Sequence, residues 1–155
     1  MKTQLDETDV QILNLLQRDG RITNADLAKA VGLSAPSVLL QRVRILEKSG
    51  IIKSYVTILD ADRLGRKLIA FVNVSLALHE SQPIERFRKS VQEIPEITEV
   101  YNITGEYDFM LKVQAKDMRH YESILRDKIT KIRGIGKLNT SFVLGTSKYT
   151  TEIPL

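Results

Sequence analysis

Residues 22–44 read ITNADLAKAVGLSAPSVLLQRVR, and this stretch decides the architecture of the first half of the chain. Ile22-Thr23-Asn24-Ala25-Asp26-Leu27 sets an apolar residue before a threonine cap, an acid three positions beyond the cap, and a second apolar residue next. A cap oxygen accepts from an otherwise unpaired N–H of the first turn, and the flanking apolar pair fixes the angle of chain entry. Leu33-Ser34-Ala35-Pro36-Ser37-Val38 repeats the staple and the cap, with Pro36 where a first turn tolerates it. Gly32 stands between them, where a helix ends in a left-handed residue. Two short helices joined by Gly32-Leu33-Ser34 form the layout of a helix-turn-helix.

Upstream, Leu5-Asp6-Glu7-Thr8-Asp9-Val10 carries the same start signal, and Gly20 and Gly50 supply further stops. Helices are expected over residues 6–18, 24–31 and 35–49. Their apolar stripes are Ile12, Leu13 and Leu16; Leu27, Ala28 and Val31; and Leu39, Val43 and Leu46. With the last stripe inward, Ser37, Gln41, Arg44 and Lys48 fall on the opposite face of the third helix and Arg42 flanks it. Across residues 33–55 the bases are Arg42, Arg44, Lys48 and Lys53, against the single acid Glu47. Such a face is either an ordinary solvated surface or one that meets base edges and phosphates in a major groove. Residues 51–58, IIKSYVTI, are β-prone and read as a wing-like strand or a linker.

From about Lys67 the periodicity becomes two. Leu68, Ala70, Val72, Val74, Leu76 and Leu78 alternate along a long strand, with Ile69 and Phe71 making part of its other face apolar as well. A helix opens at Pro83 with Ile84, Phe87, Val91 and Ile94 on one side, and Pro95 ends it. Strands follow at 97–104 and 109–115. Asp117 caps a helix bearing Met118, Tyr121, Leu125 and Ile132, which Gly134 and Gly136 break before a strand at 138–144. The order β-α-β-β-α-β predicts a four-stranded antiparallel sheet with both helices on one face, the ferredoxin-like arrangement. The bare face of such a sheet needs a cover, and self-association is the plain expectation. The fold class is therefore α+β: a (winged) helix-turn-helix domain over residues 1–52, a strand or linker over 53–65, and a ferredoxin-like domain over 66–155.

Composition narrows the chemistry. The 155 residues hold 23 Lys+Arg and 19 Asp+Glu, a net charge of +4 that permits a nucleic-acid partner without arguing for one. With no cysteine there is no disulfide, thiolate nucleophile or cysteine zinc site. The two histidines, His79 and His120, have no ligand spacing, and no nucleophile–base pair, paired carboxylates or phosphate loop stands out, so no catalytic or metal role is assigned. No apolar run is long enough to span a membrane, and a cytoplasmic protein is expected.

Taken in order, several segments resemble the Lrp/AsnC, or feast/famine, family of transcriptional regulators. They are Leu5-Asp6…Asp9…Ile12-Leu13…Leu16-Gln17…Asp19-Gly20-Arg21, Leu27-Ala28…Val31-Gly32-Leu33-Ser34, Arg42-Val43…Leu46-Glu47…Gly50-Ile51-Ile52 and Val100-Tyr101…Thr104-Gly105…Tyr107-Asp108. The resemblance covers essentially the whole chain. It implies a DNA-binding first half, a dimerising second half, a nucleoid-associated location and higher even-numbered assemblies such as octamers. It further implies an effector, typically an amino acid, and no cofactor. By position, Ser34, Ser37, Gln41, Arg42 and Arg44 would touch DNA, with Lys48 beside them. Tyr101, Thr104, Gly105, Tyr107 and Asp108 would border the effector. Glycine there lets backbone approach a ligand, and the Asp108 carboxylate suits an ammonium group, unless it merely completes a β-turn. One departure stands out: the segment from Ser34 to Arg42 is a residue longer than the family's usual spacing, and a residue is about 100° of helix rotation.

Three other readings stay open. An RNA-binding module shares the outline of four strands and two helices, but strand 109–115 lacks the aromatic cluster that stacks bases. A metabolite sensor whose helices serve a protein partner would enrich no DNA motif. An amino-acid-handling enzyme would need chemistry that no motif here provides.

Overall fold

The computed structural model describes residues 4–77 and 81–155, with backbone alone for 81–83. Leu78 and His79, and the Pro83 side chain, therefore lie outside the described residues. The chain forms two compact units, residues 1–58 together with 148–155, and residues 59–147.

The first unit holds α1 (Glu7–Arg18), α2 (Asn24–Ala30) and α3 (Pro36–Lys48). Asp6 closes a capping box with Asp9, its side chain accepting from the Asp9 N–H at 2.8 Å while the Asp6 N–H reaches back to Asp9 at 3.3 Å. Thr23 accepts from the Asp26 N–H at 3.1 Å. Ile12, Leu13, Leu27, Ala28, Leu39, Val43 and Leu46 are buried together, with Leu16, Ile22, Val31, Leu33 and Ile52 packed around them. The three expected stripes thus meet in one core.

Two local expectations fail for identifiable reasons. Ser34 does not cap α3; Ala35 occupies the cap position and makes no side-chain hydrogen bond. A residue before proline is pushed out of the helical region, and Ala35 sits at φ −116°, ψ 117°, so Pro36 becomes the first helical residue. Leu39, Val43 and Leu46 stay in the core. Gly20 does not adopt a left-handed conformation, although Gly32 and Gly50 do, at φ +72° and +75°. At the end of α1, Asp19 caps instead, its carboxylate accepting from the Arg21 N–H at 2.9 Å in an Asx-type turn. Residues 51–58 form no strand, because a β-prone segment still needs a ladder partner.

The empty cap yields a prediction. Ala35→Ser is expected to stabilise the first unit by about 0.5–1 kcal/mol, since a cap oxygen would accept an orphan N–H of α3. Urea unfolding checks it; an unchanged midpoint would mean that the turn cannot present that oxygen.

Residues 148–155, grouped by sequence with the sheet half, pack on α1. The Gln17 amide grips the Ile153 backbone from both sides, donating to its carbonyl at 3.1 Å and accepting from its N–H at 2.6 Å. Arg18 and Glu152 lie 3.6 Å apart beside it.

The second unit is a sheet of β1 (Leu68–Leu76), β2 (Ile97–Asn102), β3 (Phe109–Ala115) and β4 (Ile135–Phe142), ordered β2-β3-β1-β4 with every pair antiparallel. Helices α4 (Ser81–Gln92) and α5 (Met118–Ile124) supply Phe87, Val91, Tyr121 and Ile124 to a core with Ala70, Val72, Val74, Leu76, Phe109, Leu111, Val113 and Ala115. That is the ferredoxin-like arrangement. Asp117 caps α5, accepting from the His120 N–H at 2.8 Å. The helix does not continue regularly to Ile132. Leu125–Ile129 form a π turn, closed by the Thr130 N–H on the Leu125 carbonyl at 2.9 Å. Seven residues after Tyr121 an α-helix would aim Lys128 inward; the wider turn shifts the phase and buries Ile129 instead. Met118, assigned to the apolar stripe, is exposed at the first helical position. Strand β4 begins at Ile135, earlier than expected. Gly136 lies against β1, where an added Cβ would come within 3.2 Å of the Ala77 nitrogen.

Candidate nucleic-acid interface and effector turn

Because Leu39, Val43 and Leu46 anchor α3, the opposite side of that helix is committed to solvent. Ser37, Gln41, Arg44 and Lys48, at i, i+4, i+7 and i+11, are all exposed there, and Ser34 is exposed just before the helix. Their hydroxyl, amide and cationic groups match the acceptors and donors of a major groove. Val38 and Ile45, which periodicity did not single out, are also 46% and 50% exposed on the flank. Apolar groups in that position suit thymine methyls. The signal for them was available, since neither belongs to the inward stripe.

Arg42 has a different setting. Its Nη1 donates to Asp6 Oδ2 at 2.7 Å and to Asp9 Oδ1 at 2.8 Å, so one guanidinium nitrogen bridges both acids of the α1 capping box. The result is a polar clamp that ties the flank of the exposed helix to the start of α1. Arg42 thereby holds α3 against the start of α1 through Nη1. Spacing alone hid this, because the partners lie 33 and 36 residues away.

The clamp has a pH signature. The Asp9 N–H first, and the Arg42 guanidinium second, hold the Asp6 carboxyl below the usual aspartate range. A carboxyl whose pKa falls on folding contributes stability above its unfolded value and loses it as pH falls through the folded one. Asp6→Asn keeps a competent cap and removes the charge. The variant is expected to melt below the wild type near about pH 7, with the gap closing once pH drops below about 3.9, the ordinary aspartate value. Thermal melts across that range test this, and parallel curves would refute it.

In the sheet unit, residues 103–108 turn tightly between β2 and β3. Gly105 takes φ +114°, which favours glycine, and nothing lies within 4 Å of where a Cβ would stand. Asp108 is built into the fold. Its N–H donates to the Val74 carbonyl at 2.9 Å, its carbonyl accepts from the Ile103 N–H at 3.0 Å, and its Oδ2 accepts from the Leu76 N–H at 2.8 Å. The β1–β4 pairing shifts between Ser75 and Leu76, and the Asp108 carboxylate satisfies the Leu76 N–H at that irregularity. Thr104 is exposed and Tyr107 half-buried. Glu106 pairs with Lys137 of β4, whose ammonium also sits 5.3 Å from the centre of the Tyr107 ring. Tyr101 stands on the uncovered sheet face beside Met110, its hydroxyl donating to Glu99 at 2.6 Å. The five residues therefore divide between the turn and the open face. Lys137 and Glu106, which sequence reasoning did not include, complete the turn's polar surface.

Comparison with known proteins addresses both units. Residues 5–53 match a winged helix-turn-helix DNA-binding model, and residues 69–153 match the Lrp/AsnC ligand binding domain. The chain is 38% identical over 155 residues to the transcriptional regulator AzlB of Bacillus subtilis, covering 100% of this chain and 98% of that one. It is 36% identical over 149 residues to the leucine-responsive regulatory protein of Escherichia coli K12, covering 96% and 90%. Among solved structures, a transcriptional regulator of Neisseria meningitidis in complex with L-Met superposes with a TM-score of 0.93 at 35% identity, covering 97% of both chains. Escherichia coli AsnC superposes at 0.89 and 26% identity, covering 98% of this chain and 100% of its own. With a DNA-binding helix-turn-helix, a ferredoxin-like ligand-binding unit and relatives of this similarity along its whole length, the chain belongs to the Lrp/AsnC family of transcriptional regulators.

Proposed function

We propose that this regulator reads duplex DNA through the exposed face of α3 and that an amino acid tunes its assembly or its grip on DNA. The observation that carries the first part is the stripe of Ser37, Gln41, Arg44 and Lys48 on a helix whose other side is the core of the unit. Ser34 adds a hydroxyl at the helix entry, and Arg42 holds the helix at its angle. Support for the amino acid comes from the L-Met bound to the Neisseria relative and from the glycine-centred turn of the ligand-binding unit. Thr104, Gly105 and Tyr107 offer contacts at this turn and Tyr101 at the adjoining sheet face. Asp108 shapes the turn, with one carboxylate oxygen committed to Leu76.

The active species is a homodimer or a larger even-numbered assembly, acting in the cytoplasm on the nucleoid. The uncovered sheet face carries Ile69, Phe71 and Met110, all partly exposed, and residues 55–59 present Tyr55, Val56, Ile58 and Leu59 to solvent. A second copy would cover the former and give the latter a ladder partner. Two copies of α3 would then meet half-sites about one helical turn, or a multiple of it, apart. An effector that binds one arrangement better shifts the population toward it.

Selection from random duplex DNA, repeated with each proteinogenic amino acid, tests the reading. The expected result is a motif with two half-sites and a change in enrichment with one or a few amino acids. Enrichment of no motif would point to a sensor that meets a protein partner.

A further inference from the structure

Glu47 is the single acid of residues 33–55, and it stands beside the outward stripe of α3. Residues three or four apart on a helix are neighbours, and the one cation at such spacing from Glu47 is Arg44. Both side chains are exposed, yet among the described residues no ion pair joins them. Glu47 takes a neutral donor instead. The Tyr55 hydroxyl, eight positions further on, donates to its Oε1 at 3.1 Å.

Three of the side chains concerned meet in one place. Arg44, Glu47 and Tyr55 all border an open recess of about 270 Å³ between the end of α1 and the flank of α3. The Tyr55 ring lies beside Gly20 there, 3.9 Å from where a Cβ on that glycine would stand. A bland explanation is that the ring fastens the exit segment to the helices. That accounts for the ring, since phenylalanine would make the same apolar contact, but it leaves the hydroxyl and its choice of partner unexplained. The two flanks of α3 are treated alike: on one, Arg42 Nη1 donates to Asp6 and Asp9, and on the other Tyr55 donates to Glu47. Between them the stripe of Ser37, Gln41, Arg44 and Lys48 carries no acid.

We propose, on the reading of α3 given above, that Tyr55 is a positioning residue for DNA recognition: its hydroxyl holds the Glu47 carboxylate off Arg44 and leaves that guanidinium free for the groove. Without the hydroxyl, Glu47 is a long flexible side chain one helical turn from Arg44, and the two pair on the helix surface. A duplex must then break that pair before it gains Arg44, and the displaced carboxylate is left near phosphates of its own sign. A pair of this kind is weak, so the effect is modest in each helix, but it counts twice when two copies of α3 occupy two half-sites.

The test is a double-mutant cycle on the full chain, with affinity for the duplex recovered by selection measured by fluorescence anisotropy. Tyr55→Phe keeps the ring and removes only the hydroxyl. In the wild-type background it is expected to weaken binding by about two- to fivefold, the sum of one freed ion pair in each of two helices. The same change should alter affinity by less than about 1.5-fold where Glu47 is already replaced by Gln, and equally little where Arg44 is replaced by Ala. A purely structural role for Tyr55 would not depend on the charge of Glu47. A loss that persists in either background therefore overturns the proposal, making the phenol a DNA contact or a plain fastening. Unchanged affinity of Tyr55→Phe in the wild-type background overturns it too, while leaving α3 in the groove. A wild type that enriches no motif defeats the reading of α3 and takes this proposal with it.

Discussion

Arg44→Ala is expected to weaken binding to the selected duplex by about 5- to 150-fold, the equivalent of losing one bidentate contact worth about 1–3 kcal/mol. The size follows from position. Arg44 is exposed at the middle of the outward stripe, flanked by Gln41 and Lys48, whereas Arg42 is half-buried and its Nη1 donates to Asp6 and Asp9. Two outcomes within that range have separate meanings. Base reading by Arg44 predicts that discrimination relaxes at one position of each half-site. A phosphate contact predicts a uniform loss and a salt slope shallower by about 0.9. Arg44→Lys separates them further, since it keeps the charge and gives up the planar fork. Unchanged affinity across a salt titration by gel shift would remove α3 from the groove.

The contrast between the two arginines shows where sequence reading works and where it stops. Local rules decide anything within about two turns of helix. Caps at Asp6, Thr23 and Asp117, the inward stripes of α1 to α3 and the alternation of β1 and β3 were all legible, because each rests on neighbours at fixed spacing. The third cap was misplaced by one residue because Pro36 outranked Ser34. That too is a local rule, and weighing the proline against the serine would have found Ala35. Partners across the chain are another matter. Arg42 and Asp6 are separated by two helices, α1 and α2, and the meeting of the Asp108 carboxylate with the Leu76 N–H depends on a slip in strand register. What remained hidden is thus what tertiary packing creates: the assignment of a polar group to structure or to ligand.

Phe87→Ala is expected to produce the largest loss of stability, about 3–5 kcal/mol, confined to the sheet unit. The Phe87 ring is fully buried under the sheet and lies 4.6 Å from the Phe109 ring, tilted by 43°. Removing it deletes apolar contacts and leaves a cavity that two packed helices cannot close. Phe109 adjoins Asp108, whose backbone and carboxylate pin the 103–108 turn to β1. The cavity therefore undercuts the turn as well as the core. Hydrogen exchange on the full chain reads this unit by unit, because amides that exchange through opening report local free energy. Amides of β1 and β3 should exchange about 150- to 5,000-fold faster, while those of α1 to α3, whose core shares no residue with this one, keep their protection. Phe87→Leu should give less than half that free-energy loss, since it refills most of the space. Acceleration below about tenfold in β1 and β3 would mean that the helices collapse onto the vacancy. Equal acceleration across α1 to α3 would mean that the two units unfold as one.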